Sequence, residues 1–131
     1  MKVQLESPRV AKTKGPYVQG VALSRGTMII TSGVVGRDQE GRIIGIGDIR
    51  AQTRQCLENI RNVIEAGGGT LKDLAKMTVY LRDLRDYAGM NEVRREMLAG
   101  LAFASTAVQA ALNAPEALIE VEAIAFVTEP T

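Results

Sequence analysis

The chain contains no histidine and no tryptophan, and it has a single cysteine, Cys56. The missing histidine is the most restrictive absence. It removes the Ser-His-Asp and Cys-His nucleophile systems. With only one cysteine present, the commonest catalytic metal sets go with it, and no metal ligands are expected. Acid–base chemistry must then come from Asp, Glu, Tyr, Lys or ordered water. A lone cysteine cannot close an internal disulfide, which suits a cytoplasmic protein. The aromatic residues are Tyr17, Tyr80, Tyr87, Phe103 and Phe126. They are too few and too scattered for a base-stacking platform. The net charge is +1, with Lys and Arg dispersed, so neither a nucleic-acid nor a membrane partner is expected. No window approaches a membrane span, and the first ten residues, with Lys2, Glu6 and Arg9, lack the apolar run of a signal peptide.

What is present fits one domain over residues 1–131: 46% hydrophobic and 24% charged residues suffice for a core without staples. The stretch Leu118 to Val127 reads as a long strand, being β-branched, small or aromatic almost throughout. Alternation gives one wholly apolar face, Ile119, Val121, Ala123, Ala125 and Val127, suited to cover by helices. The other face, Leu118, Glu120, Glu122, Ile124 and Phe126, mixes acids with apolar groups. On periodicity alone, Glu120 and Glu122 are first of all solvated residues on an open face. The alternative is a surface that closes against another subunit around a polar pocket.

Earlier in the chain, Met1 to Leu5 alternates as a short edge strand. Val18 to Ser24 and Thr27 to Thr31 read as two strands joined by a hairpin at Arg25-Gly26. Arg37 to Gly47 is a glycine-bearing loop without the pattern of a phosphate cradle. Asp48 is the expected N-cap of a first helix with Thr53, Cys56, Leu57, Ile60, Val63 and Ile64 on its apolar stripe, ended by Gly67-Gly68-Gly69. Cys56 on that stripe reads as core packing rather than a nucleophile. Ala75 to Arg82 is a strand. Asp86 is the expected cap of a second helix to about Ala99, with Tyr87, Met90, Met97 and Leu98 inward. Phe103 to Ala111 is a further strand, and Asn113 to Glu116 a turn. This order predicts an α+β layer, with helices on one face of a mixed sheet.

Several blocks then resemble one family: Gly15-Pro16-Tyr17-Val18-Gln19-Gly20-Val21; Met28 to Gly33; Gln52-Thr53 with Asn59; Thr78-Val79-Tyr80-Leu81-Arg82-Asp83; Asn91; and Ile119 to Ala125. In this order and spacing they resemble the reactive-intermediate deaminases, the Rid or YjgF family, over nearly the whole chain. The resemblance implies a chorismate-mutase-like α+β fold and a homotrimer. Three mixed sheets, each with two helices on one face, close into a barrel with a pocket at each subunit interface. It implies hydrolysis of small enamines or imines, such as 2-aminoacrylate, to a keto acid and ammonia, with no metal or organic cofactor. Some relatives are described as ribonucleases or translation inhibitors, and others only bind. By the same resemblance, Glu122 orients or activates water. Tyr17, Ser32, Gly33, Asn91, Ser105, Thr106 and Ala107 line the substrate pocket.

One block departs from the pattern. The deaminases carry Pro-Ala-Arg-Ser-Cys-Val, whose Arg clamps the substrate carboxylate; here the stretch is Phe103-Ala104-Ser105-Thr106-Ala107-Val108. A bidentate Arg–carboxylate pair contributes about 1.5–3 kcal/mol, so Ser in its place weakens 2-imino-acid binding by roughly one to two orders of magnitude. Three outcomes follow. The substrate lacks an α-carboxylate, or Arg94, Arg95 or Arg25 reaches the pocket, or the site is a metabolite-binding one without turnover. Arg94 and Arg95 read foremost as a solvated helix face.

Overall fold

The computed structural model describes residues 1–130. Its strands are β1 (Lys2–Leu5), β2 (Gly20–Leu23), β3 (Gly26–Ile30), β4 (Leu74–Leu81), β5 (Ala104–Gln109) and β6 (Ile119–Thr128). Its helices are α1 (Ile49–Ala66) and α2 (Tyr87–Met97). The main sheet has the order β3-β6-β4-β5, with β4 and β5 parallel and the other pairs antiparallel.

β6 lies inside this sheet, as its apolar content requires. Ile119, Val121, Ala123 and Ala125 are buried on the helix side. They meet Met77, Val79 and Leu81 of β4 and the stripe of α1 in one continuous core. The opposite sheet face carries no helix. Met28 and Ile30 of β3 remain 51% and 67% exposed there, opposite Phe126 and Ile124, and Ile30 shares a cleft with Glu122. This open face bears on how the site is completed.

α1 begins as expected: the Asp48 carboxylate accepts the Ala51 N–H at 3.1 Å, a side-chain cap on one of the free N-terminal amides. It ends at the glycines, where Gly68 adopts φ +88°, a backbone state that side chains disfavour. Thr53, Cys56, Leu57, Ile60 and Ile64 are buried, but Val63 is 42% exposed. It sits at the edge of the stripe; Gln52, on the same edge about three turns earlier, is polar yet has no exposed surface.

Two further expectations are corrected. β2 and β3 do not pair as a hairpin: β2 lies antiparallel to β1, and β3 to β6. A tight type I′ connection needs positive φ at both central residues. Only Arg25 has it, at 56°, so the chain leaves β2 and continues along β6. Gly26 permits that approach, since a Cβ there would stand 2.3 Å from the Val127 carbonyl oxygen. The Asp86 side chain makes no cap to α2. Asp83 instead accepts the Arg85 N–H at 2.9 Å and caps a short 3₁₀ turn, Leu84–Asp86, that runs directly into the helix.

Candidate functional site

The alternation of β5 divides its side chains between two faces. Ser105 and Ala107, opposite Met77 and Val79, point to the helix side; Thr106 and Val108, opposite Thr78 and Tyr80, point to the open face. α2 crosses the helix side of this edge. Asn91 and Arg94, three residues apart, share its inner face, 4% and 1% exposed. The expectation of a solvated Arg94 is therefore wrong, while Arg95 is exposed as expected.

Arg94 is the centre of a tight cluster. Its Nε and Nη2 donate to Asn91 Oδ1 at 3.0 and 2.7 Å. Its Nη1 donates to Ser105 Oγ at 2.7 Å. The guanidinium carbon lies 5.9 Å from the ring centres of both Tyr17 and Phe103, near the limit for cation–π attraction. Tyr17 is held there because the next residue, Val18, donates its N–H to the Phe103 carbonyl at 2.9 Å. Among the described residues no carboxylate forms an ion pair with Arg94. Burial pulls its pKa down from the usual arginine value, though arginine stays charged. Tyr17, Tyr87, Arg94, Ser105, Thr106 and Ala107 line an open cleft of about 380 Å³.

Glu122 occupies a different place. It projects from β6 on the open face, where its Oε1 accepts the Tyr80 hydroxyl at 2.5 Å. That bond, and then burial, raise the Tyr80 pKa. Glu122 borders a separate cleft of about 240 Å³ with Ile30, Thr31, Lys76, Thr78 and Ile124. Thr106 connects the two regions, accepting from Lys76 Nζ at 2.9 Å. Glu122, Thr78 and Thr106 lie in one cross-strand row. Two strand spacings put the backbones of the outer pair about 10 Å apart.

The family model described as Endoribonuclease L-PSP matches residues 8–127. The chain belongs to the L-PSP family, which takes in the YjgF, RutC and Rid proteins. A RutC family protein of Pyrococcus horikoshii is 40% identical over 96% of this chain and 98% of its own. The structure of E. coli TdcF with bound serine is 37% identical, covering 95% of this chain and 98% of that one, with a TM-score of 0.69. The Rid family protein YyfB of Yersinia pestis, at 24% identity, shares the fold with a TM-score of 0.82 over 96% of this chain. The expected α+β, YjgF-type fold is therefore the observed one.

This L-PSP family chain brings together Tyr17, Asn91, Ser105, Thr106 and Ala107 of the expected site, and adds Arg94 and Tyr87. Glu122 is not among them within one chain. Ser32 is exposed, and Gly33 borders a third groove against α1. A Cβ on Gly33 would stand 2.3 Å from Glu120 Oε2, so the glycine leaves room for that carboxylate. Sequence reasoning did not select Tyr80 or Lys76. The period of β4 puts both on the Glu122 face, which was the available signal. Among the described residues no three of His, Cys, Asp and Glu gather as metal ligands, and no helix is long and apolar enough to cross a membrane.

Cys56 is core, as its stripe position predicts: it has no exposed surface. Burial, with a smaller contribution from Glu120, pushes its thiol pKa up to about 12 from 9.0. The folded state then holds a proton that the unfolded state has released between those values. Stability from this group is complete below pH 9 and lost toward pH 12, by roughly 1 kcal/mol per pH unit. Urea unfolding at pH 8 and pH 10.5 is expected to show a smaller alkaline loss for Cys56→Ala than for the wild type. Equal losses would contradict a buried protonated thiol.

Proposed function

We propose that the protein is a cofactor-free hydrolase of a small enamine or imine metabolite, acting as a homotrimer. Water adds to the imine carbon, and the Glu122 carboxylate accepts its proton. That proton passes to nitrogen to give a carbinolamine; the carbinolamine hydroxyl then gives up its proton, a proton is returned to nitrogen, and the C–N bond breaks to leave a carbonyl compound and ammonia. The observation that carries this reading is the Tyr80–Glu122 pair on an uncovered sheet face. A carboxylate fixed by a phenol and flanked by apolar groups suits the delivery of one water in one direction. Exposed Met28 and Ile30 on the same face favour its closure by further copies of the chain, since such surfaces mark subunit contacts. That closure would place Glu122 in an interface chamber. Membership in the L-PSP family and the likeness to TdcF, solved with serine, support a small polar metabolite as ligand. Against RNA cleavage, which the family description suggests, stand the absence of histidine and the net charge of +1.

A binding-only homotrimer is the second reading. The separation of Glu122 from the Arg94 cleft favours it. Ammonia release from a panel of enzymatically generated imines, with and without Glu122→Ala, decides between the two. Release that depends on Glu122 is expected; equal rates for both proteins end the catalytic assignment.

A further inference from the structure

Collapse of a carbinolamine needs two proton carriers. The hydroxyl loses a proton while the nitrogen gains one, because nitrogen leaves as ammonia and not as an amide anion. Glu122 can take the first proton. A donor on the other side of the same carbon serves the second better than one group that must do both in turn. The open sheet face holds such a donor. Lys76 borders the same cleft of about 240 Å³ as Glu122. The two are diagonal neighbours: Lys76 of β4 lies opposite Ile124, and Glu122 opposite Thr78. At that spacing long side chains of opposite charge can reach one another. Here they do not.

Lys76 Nζ is drawn toward β5, where it donates to Thr106 Oγ1 at 2.9 Å. Glu122 is held by the Tyr80 hydroxyl at 2.5 Å. Among the described residues neither joins an ion pair. Two neutral hydroxyls thus keep a cation and an anion apart. Thr106, Thr78 and Glu122 form one cross-strand row, so the ammonium stands at its β5 end, the carboxylate at its β6 end, and the small Thr78 is the floor between them. Both ends keep free valences. A lysine ammonium has three N–H groups, and Lys76 gives one to Thr106. Glu122 engages Oε1 with Tyr80, and among the described residues no donor reaches its Oε2. Ile30 and Ile124 add an apolar wall, against which a small carbon skeleton can rest. A direct Lys76–Glu122 pair would fill this space and cancel both charges.

We propose that Lys76 is a second catalytic residue: its ammonium gives the departing nitrogen a proton while Glu122 Oε2 takes the proton of the carbinolamine hydroxyl. The C–N bond breaks with its electron pair going to nitrogen, the C=O bond forms, and ammonia leaves. Glu122 then returns its proton to the Lys76 amine through water, which restores both groups. Thr106 is a positioning residue, since it sets where Nζ stands. This rests on the proposed hydrolase and supplies its acid.

The test measures ammonia release from the enzymatically generated imines, 2-aminoacrylate among them, above the uncatalysed rate. Lys76→Met is expected to lower kcat by about a hundredfold or more. Lys76→Arg keeps the positive charge but cannot release a proton, so it is expected to fall nearly as far. Lys76→Ala is expected to regain part of the lost rate when methylammonium is added, because that ion brings an N–H donor into the vacated space. Tetramethylammonium, which carries the charge and no such proton, is expected to restore nothing. Thr106→Val leaves the lysine in place and is expected to lose about tenfold in kcat with little change in KM. That variant decides the matter where a Lys76 variant does not fold. Glu122-dependent release that Lys76→Met leaves unchanged overturns the inference. So does a Lys76→Arg protein as fast as the wild type, equal rescue by the two ammonium ions, or an unimpaired Thr106→Val protein. Each of these results leaves the hydrolase standing. A wild type that accelerates ammonia release from none of the imines removes the hydrolase, and the role of Lys76 with it.

Discussion

Replacing Gln52 with Leu is expected to lower the free energy of unfolding by about 3 kcal/mol and the melting temperature by about 10 °C. Gln52 is fully buried on α1. Its Nε2 donates to the carbonyls of Gly45 and Glu116 at 3.2 and 3.1 Å. Its Oε1 accepts the Leu118 N–H at 2.8 Å. One side chain thus fastens the glycine-bearing loop and the entry of β6 to the helix. Leu has similar volume, so packing is largely kept, but three backbone groups lose their partner. Each unsatisfied group costs about 1–3 kcal/mol when water cannot replace the lost bond. Gln52→Glu is a sharper variant. It still accepts from Leu118, but it turns a carboxylate toward two carbonyl oxygens. Its stability is therefore expected to be lower at pH 8 than at pH 5, where protonation restores a donor. Thermal melts and urea titrations measure both. A Leu variant as stable as the wild type would mean that this amide fastens nothing.

The largest expected effect on activity is at Glu122. Glu122→Gln preserves the shape of the side chain and an acceptor for Tyr80, and removes the base. If the proposed hydrolysis holds, kcat/KM falls by about two to four orders of magnitude with the fold unchanged. Tyr80→Phe keeps the base and removes the hydroxyl that fixes it. A smaller loss is expected, about tenfold, the usual consequence of losing one charge-assisted hydrogen bond. The pH dependence separates positioning from packing. Because Glu122 raises the Tyr80 pKa, the phenol keeps its proton, and its bond, past the usual tyrosine range near pH 10. Above its raised pKa that bond is lost, so wild-type activity is expected to decline there. Tyr80→Phe, having no such proton, should lack that alkaline decline. Identical alkaline limbs for the two proteins would rule out a positioning role for Tyr80.

Much of the fold was legible because it is encoded locally. The alternation of Ile119 to Val127 identifies a strand with one buried face, whatever its neighbours. Asp48 before a helical stripe, with three glycines after it, bounds α1 without reference to the rest of the chain. Cys56 lies on that stripe, and its burial follows. The failures have the opposite character. β2 and β3 were both read as strands, but their partners were not. A strand's pairing depends on which edges are free elsewhere, and β6 lies about a hundred residues further along. Gln52 and Val63 lie on the same edge of the α1 stripe at opposite ends of the helix, and tertiary contacts alone decide that the glycine-bearing loop and the entry of β6 cover the first while the second stays 42% exposed.

The site divides in the same way. By itself the sequence determined that no histidine chemistry is available, and that Glu122 lies on the mixed face of a long strand. Those facts depend only on residue identity and a period of two. The tertiary structure alone decided that Arg94 is buried against Ser105, and that Tyr80 reaches Glu122 across 42 residues of chain. An arginine on a helix is soluble or buried according to what the helix lies upon. Here α2 lies over the free edge of β5, where a serine leaves just enough room for a guanidinium.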